Sequence, residues 1–407
     1  MAAMPKALEG VRVLDLSRVL AAPLCAQHLA DLGAEVTKIE RPGSGDEARS
    51  YGPPFLMDRE GQSTGTAAFY FACNRGKKSV TVDHSTPEGQ EIIRALAKQS
   101  DVVLENFRVG VLKKYGLDYA SLKKVNPRLV YCSVTGFGQD GPCAARPGYD
   151  GIFQAMGGMM SASGHADEPM KIGISMVDVL TSLYAGIAIL AALRHRDAVS
   201  GEGQHIDMAL LDCGVASLSH FAMNYHVSGE VPQRRGNGGY GGVPSQAFRC
   251  RDGRSIFVVA GNDKQFAALS RAGGRPGLGD DERFSKPAGR VIHRDALLAE
   301  LNTMFADRPL AEWLALLEAA DVPAGRVNEL PEVFDHPQVR HRRMLVEADH
   351  PQAGMLKLLA SPMRLSATPI ADYPAPPLLG AHTREVLAER LHFSAAQIDS
   401  LAAQHVV

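Results

Sequence analysis

The chain has 407 residues, 45% of them hydrophobic and 22% charged, with a net charge of -2. That composition excludes wholesale disorder and a membrane-embedded chain, and it leaves no global basic field for nucleic acid or an anionic membrane. At roughly 100–200 residues per domain, two or three domains are expected.

Met1–Gly10 reads as too short and too polar for a signal peptide. Val11–Leu16 is a short apolar run, Ala26–Leu32 has helical spacing, and Val36–Ile39 is apolar again. Further strand-like runs are Ser79–Val82, Val102–Glu105 and Leu129–Val134, separated by helical patterns at Pro87–Lys98 and Val111–Val125. This alternation predicts an α/β domain with a Rossmann-like parallel sheet covered on both faces. Asp46–Thr66 is expected to be a long irregular loop. Apolar helices are expected near Asp178–Arg194 and Met208–Val227, the first too short to span a bilayer. A glycine-dense segment, Gly236–Gly242, precedes a second unit. Its hairpin is Ala247–Cys250 with Ser255–Val259, and its helices are Lys264–Arg271, Arg294–Phe305 and Leu310–Ala320. A hairpin-like stretch at Leu345–Leu365 and a helix from His382 close the chain. The expected division is a large α/β domain over 1–203, a linker helix over 204–226, a smaller α+β domain over 227–321, and a linker returning to the large domain over 322–407.

Six scattered cysteines contain no C-x-x-C pair, so neither a disulfide framework nor structural zinc is expected, and a reducing, cytoplasmic setting fits. Two motif matches fail on context. Gly61-Gln-Ser63-Thr-Gly65 lacks the apolar strand that a serine-hydrolase elbow requires. Gly236-Asn-Gly238-Gly-Tyr-Gly241 follows polar residues, and Pro244 blocks the helix that a dinucleotide site needs. Arg41, after the second strand, suits a phosphorylated nucleotide or is a solvated surface residue. Asn74-Arg75-Gly76-Lys77-Lys78 is a solvated turn or one wall of a polyanion site. Arg41, Asn106 and Thr135 all follow strands, where ligands of parallel sheets collect. Asp150 fits a helix cap or a catalytic acid.

The ordered set Val13-Leu-Asp-Leu-Ser17, Leu32-Gly-Ala-Glu-Val-Thr-Lys-Ile-Glu-Arg41, Pro42-Gly-Ser-Gly-Asp46, Glu105-Asn-Phe107, Gly148-Tyr-Asp150 with Gln154, Gly203-Gln204 and Pro376-Pro-Leu-Leu-Gly380 resembles the class III CoA-transferases. The resemblance implies that an aspartate attacks an acyl-CoA thioester, passing through a mixed anhydride and an aspartyl-CoA thioester. It makes Asp150 the expected nucleophile and the amides of Gly238, Gly239, Gly241 and Gly242 the expected oxyanion donors beneath a closing lid. It places Val19 and Ala21 at the thiol arm by their backbone, Arg41 at a nucleotide phosphate, and Ala72, Asn74 and Arg75 on the adenine side, with Asn106, Lys114, Tyr115 and Phe137 as further contacts. CoA enters as cosubstrate, with no tightly bound cofactor and no metal. The implied partners are acyl-CoA, small carboxylic acids and a second copy of the chain, two ring-shaped protomers interlocking, with neither nucleic acid nor membrane.

Leu20 and Thr135 stand where formyl-CoA transferase has glutamine and lysine, which argues against oxalate or formyl substrates. The texture of Gly136–Pro142 and His205–Asp212 looks more like the branch acting on dicarboxylates such as succinyl-CoA and glutarate. Arg18, Arg234 and Arg235 are candidates for the second carboxylate. Two alternatives stay open at this point. An α-methylacyl-CoA racemase of similar sequence carries histidine where Tyr149 stands, with Asp178 near its second acidic position, and a CoA-binding protein without turnover keeps the pocket alone.

Overall fold

A computed structural model describes residues 6–239 and 241–407. Met1–Pro5 and Tyr240, and with them parts of the N-terminal stretch and the glycine segment discussed above, lie outside the described residues. The chain divides into two compact units, one of residues 1–159, 172–218 and 338–407 and the other of 160–171 and 219–337.

The larger unit is built on six parallel strands: β1 (Arg12–Asp15), β2 (Glu35–Glu40), β3 (Lys77–Thr81), β4 (Val102–Glu105), β5 (Val130–Thr135) and β6 (His205–Ala209). Their order across the sheet is β3-β2-β1-β4-β5-β6. The chain therefore winds outward from β1 in one direction, returns to β4 on its other side, and winds outward again. Successive side chains point to opposite faces. Val13, Val102, Leu104, Val130 and Cys132 pack on one face beneath α1 (Ala21–Asp31) and residues of a later long helix. Leu14, Val80, Val103 and Tyr131 pack on the other with α2 (Pro87–Lys98) and the C-terminal helices Thr383–Leu391 and Ala395–Ala403. Each of these valines and leucines, buried completely, contributes about 1.5–3 kcal/mol.

Four expectations need correction. The helix expected over Val111–Val125 is two single turns, Leu112–Tyr115 and Tyr119–Leu122, because Gly116 breaks the run with a left-handed φ of 65°. Residues 204–226 are not one linker helix. They open with β6, whose alternating His-Ile-Asp-Met pattern fits the sheet edge, and continue as Leu210–Ala216 and Ser219–Ser228. The Asp46–Thr66 loop contains a short turn, Glu47–Ser50, and a hairpin of Phe55–Met57 with Ser63–Ala67. The apolar helix spans α4 (Met176–His195), longer than expected; by length and composition it suits a membrane span, yet Val177, Ala185, Ile189 and Ala192 are buried against α1 and the sheet.

The smaller unit has an antiparallel sheet of β7 (Ser245–Arg249), β8 (Ser255–Val259) and β9 (Ala324–Arg326). Its core stacks Phe248 on Phe305 at 4.5 Å and Phe305 against Trp313 at 4.6 Å, and the indole N–H donates to the Phe305 carbonyl at 2.9 Å.

Candidate active site

Where the winding reverses between β1 and β4, the loops after both strands part and leave a crevice at their carboxyl ends. Two depressions lie there, of about 280 and about 620 Å³, and they share Arg18, Glu47 and Phe107 in their walls. The first is lined by Arg41 and His84, the second by Val19, Ala21, Asn106, Tyr149 and Asp178. Together they form one groove with Arg41 toward one end and Asp178 toward the other.

Side chains clamp the turn that carries this groove. Asn106 accepts from the Arg18 N–H at 3.0 Å and donates to its carbonyl at 2.7 Å. Lys38 donates to the Ser17 carbonyl at 2.6 Å and pairs with Asp46 at 2.8 Å. Asp46 in turn accepts the Val19 N–H at 3.0 Å. Val19 is thereby held at a φ of 72°, a left-handed geometry that strains a β-branched residue. Behind the clamp, Lys77 pairs with Asp15 at 2.9 Å, and Arg49 grips Glu40 with two bonds of 2.8 Å. Burial alone would raise the Asp15 carboxyl, but Lys77 and Lys38 outweigh it and hold it low. Burial likewise opposes ionisation of Glu40, yet Arg49 and Lys38 bring it down to about 2. The sequence signal for this network was charge inside strands that a doubly covered sheet should leave apolar: Asp15 in β1, Lys38 and Glu40 in β2. It was not read.

Gly148 and Asp150 acquire separate reasons. A β-carbon at Gly148 would lie 2.2 Å from the Phe153 ring, so only glycine admits this approach. Asp150 begins α3 (Asp150–Met156), with Tyr149 as that helix's N-cap. Its carboxylate instead caps α4 from across the fold, accepting the Val177 and Asp178 N–H groups at 2.8 and 3.3 Å on one oxygen. The other oxygen accepts from Gln154 at 2.7 Å. Asp178, the third residue of α4, presents a half-buried carboxyl to the groove, and no described residue donates to it. Burial raises it to about 7, and the Asp150 charge adds to the rise. The sequence pattern marks Asp178 only as a racemase position.

The other expected site residues separate into groups. Arg41, Val19, Ala21 and Asn106 line the groove. The Val19 N–H and carbonyl are already engaged by Asp46 and the Cys73 thiol, and the Asn106 amide by Arg18, so these two shape the groove and their bonding groups face inward. Phe137 meets Phe153 edge-on at 5.2 Å beneath Arg146. Tyr115 stands behind His84, edge to ring at 5.5 Å, and Lys114 projects from the same turn outside both depressions. Ala72 and Arg75 border a different hollow, beside the hairpin Leu345–His350 with Gly354–Leu359. Arg75 is neutralised by Asp31 at 2.5 Å and bonds the Leu359 carbonyl, while Asn74 is buried against Tyr70 and Lys77, so both side chains serve the framework.

Within the smaller unit, the Gly238 N–H donates to the Arg235 carbonyl and the Gly239 N–H to the Ser245 carbonyl. A turn therefore engages both of these expected oxyanion donors. Among the described residues Gly241 and Gly242 donate in no such backbone bond, and Gly242 packs on Gly261. Arg234 donates to the carbonyls of His165 and Ala166.

Residues 8–383 match the model of CoA-transferase family III. A succinate–glutarate CoA-transferase of Agrobacterium fabrum is 44% identical over 94% of this chain and 95% of its own. A succinyl-CoA:glutarate CoA-transferase of Mus musculus is 40% identical over 99% of this chain and 90% of its own. A crystal structure of a CAIB/BAIF family protein from Brucella suis, 44% identical, superposes with a TM-score of 0.84 over 95% of this chain and 99% of that one. A groove at the sheet's winding reversal, the ordered motifs around it and full-length matches of this closeness lead to one conclusion: the chain belongs to CoA-transferase family III and is an enzyme that uses CoA thioesters.

Proposed function

We propose that the enzyme moves CoA from succinyl-CoA to glutarate, or to a dicarboxylic acid close to it, with Asp178 as the attacking carboxylate. The activities named for the Agrobacterium and mouse relatives support the substrates. One observation carries the attack: Asp178 faces the groove without a donor among the described residues, whereas both Asp150 oxygens are occupied by donors. The role that the sequence pattern implied for Asp150 therefore passes to Asp178.

An Asp178 oxygen attacks the thioester carbon, the C–S bond breaks, and the CoA thiolate leaves behind an acyl-aspartyl anhydride. The thiolate attacks the aspartyl carbonyl, releasing the first acid as a carboxylate and leaving an aspartyl-CoA thioester. The acceptor carboxylate attacks that thioester and expels the thiolate. The thiolate then takes the acceptor's acyl carbon and frees Asp178. A carboxyl raised to about 7 is a more basic nucleophile than an ordinary aspartate and is still ionised above neutrality. Incubation with succinyl-CoA and a panel of mono- and dicarboxylic acids, read by the mass of new thioesters, tests the substrate class. Absence of transfer to every dicarboxylate overturns it and leaves the family standing.

The nucleotide end of CoA is assigned to Arg41. Arg41→Glu is expected to raise KM for acyl-CoA with little change in kcat, losing about 1.5–3 kcal/mol of charge-assisted bonding. Equal KM values for CoA and dephospho-CoA thioesters in the wild-type enzyme would contradict that assignment.

The interlocked homodimer implied by the family resemblance has support in α4, which exposes Leu183, Tyr184, Ile187 and Leu190 by 37–63% although all four are large and apolar. A second copy is the occupant proposed for this strip. The dimer is expected to persist in sedimentation at nanomolar concentration, and a folded, active monomer on dilution would refute it.

A further inference from the structure

Three arginines line the depression that holds Asp178: Arg18, Arg108 and Arg146. Arg18 pairs with Glu47 at 2.7 Å and borders both depressions, which puts it on the path of the CoA chain. Arg108 and Arg146 border the Asp178 end alone, and neither pairs with a carboxylate among the described residues. They differ in how they are held. Both are exposed, and Arg108 stands on the turn after β4 with no ring contact among the described residues. The Arg146 guanidinium lies over the Phe137 ring at 5.4 Å, and Phe137 rests edge-on against the fully buried Phe153. A guanidinium seated on a ring is already oriented and has less freedom to lose when it binds an anion.

Arg146 also shares a frame with Asp178. It precedes Gly148 by two residues, and Gly148 is packed against the same Phe153 ring. Asp150, two residues further on, caps the first turn of α4, which carries Asp178. Cation and reacting carboxyl are thus tied to one assembly of α3 and α4, which distinguishes Arg146 from Arg108 although both are exposed.

We propose that Arg146 holds the far carboxylate of the dicarboxylic acyl group and so selects dicarboxylates over monocarboxylates. The proposal rests on the dicarboxylate reading above. Exchange through one aspartate means that the leaving and entering acids occupy the same place in turn, so one cation serves both. The planar fork of arginine matches a carboxylate through two parallel N–H···O bonds. A neutral group of the same shape cannot form the charged pair and gains less in the transition state.

The test compares glutarate with its half-amide as acceptors, succinyl-CoA being the donor. In a two-stage exchange, kcat/KM for the acceptor reports the second stage alone, so effects on the donor cancel. The ratio of the two values also cancels any loss of active protein. Arg146→Gln is expected to lower kcat/KM for glutarate by about 10- to 100-fold and that for the half-amide by less than about threefold. Arg146→Lys is expected to fall between the wild type and the glutamine variant. A ratio unchanged in Arg146→Gln, with both acids falling together or neither falling, overturns the assignment while the dicarboxylate reading stands. A wild-type enzyme that transfers CoA only to monocarboxylates overturns both.

Discussion

Asp178→Asn is expected to reduce CoA transfer by roughly 10⁴-fold or more, the scale seen when a covalent nucleophile is removed, in a protein that remains folded. An amide cannot form the anhydride. Asparagine keeps the backbone N–H that Asp150 accepts, so the start of α4 is preserved. Its stability has a definite sign. The Asp178 carboxyl is raised from 3.8 to about 7, so the folded state holds the proton more tightly than the unfolded chain. The stability contributed by that proton is complete below the unfolded value and is lost as pH rises through about 7. Above neutrality the neutral amide removes a burial penalty, and Asp178→Asn is expected to melt no lower than the wild type.

Asp150→Asn separates the two carboxylates. The asparagine oxygen still accepts from α4, but its NH₂ now confronts the Gln154 donor, at a cost of about 1–3 kcal/mol. Activity is expected to fall but persist. The rising limb of kcat/KM against pH, set by ionisation of Asp178, is expected to move to lower pH, because the Asp150 charge is one of the two causes that raise it. Wild-type enzyme with acyl-CoA and hydroxylamine should carry a hydroxamate on the peptide containing Asp178. A label on Asp150, or normal transfer by Asp178→Asn, would return the attack to Asp150.

Lys38→Met is expected to cost about 3–5 kcal/mol, the loss typical when one partner of a buried ion pair is removed. Both side chains of the Lys38–Asp46 pair are at most 1% exposed. Burial alone would lower the Lys38 ammonium, but Asp46, Asp15 and Glu40 hold it well above its usual value, so the charge is intrinsic to the fold. Without it Asp46 stays buried and uncompensated, the Ser17 carbonyl loses its donor, and the strained Val19 turn loosens. KM for acyl-CoA should rise in parallel. The two units provide an internal control. The chain's one tryptophan, Trp313, lies in the smaller unit, so its fluorescence reports that unit, while far-UV circular dichroism follows the whole chain. The midpoint by dichroism is expected to drop more than the midpoint by fluorescence. Adding Asp46→Asn to Lys38→Met should recover part of the loss, and a single-variant shift under about 1 kcal/mol would mean that the pair contributes no more than a surface one.

The α/β class, five of the six sheet strands, the apolar helix and the family are all legible in the residues. Each of these is written locally, in apolar runs of strand length between turn residues or in motifs of fixed order. The sixth strand was missed because half-apolar His205–Ala209 leads directly into an apolar helix, and only its pairing with β5 identifies it. The roles of individual charges were decided by tertiary structure alone. Lys38 and Asp46 are eight positions apart, and nothing local says that they meet in a dry interior. Both aspartates were legible as acids. Which one is saturated depends on the first turn of α4 docking against Asp150, 27 residues earlier in the chain. Helix termini leave backbone N–H groups without partners, and a carboxylate brought to them becomes a cap, whatever its motif implies. The neighbouring carboxyl, to which no described residue donates in its half-buried groove, keeps a raised proton affinity.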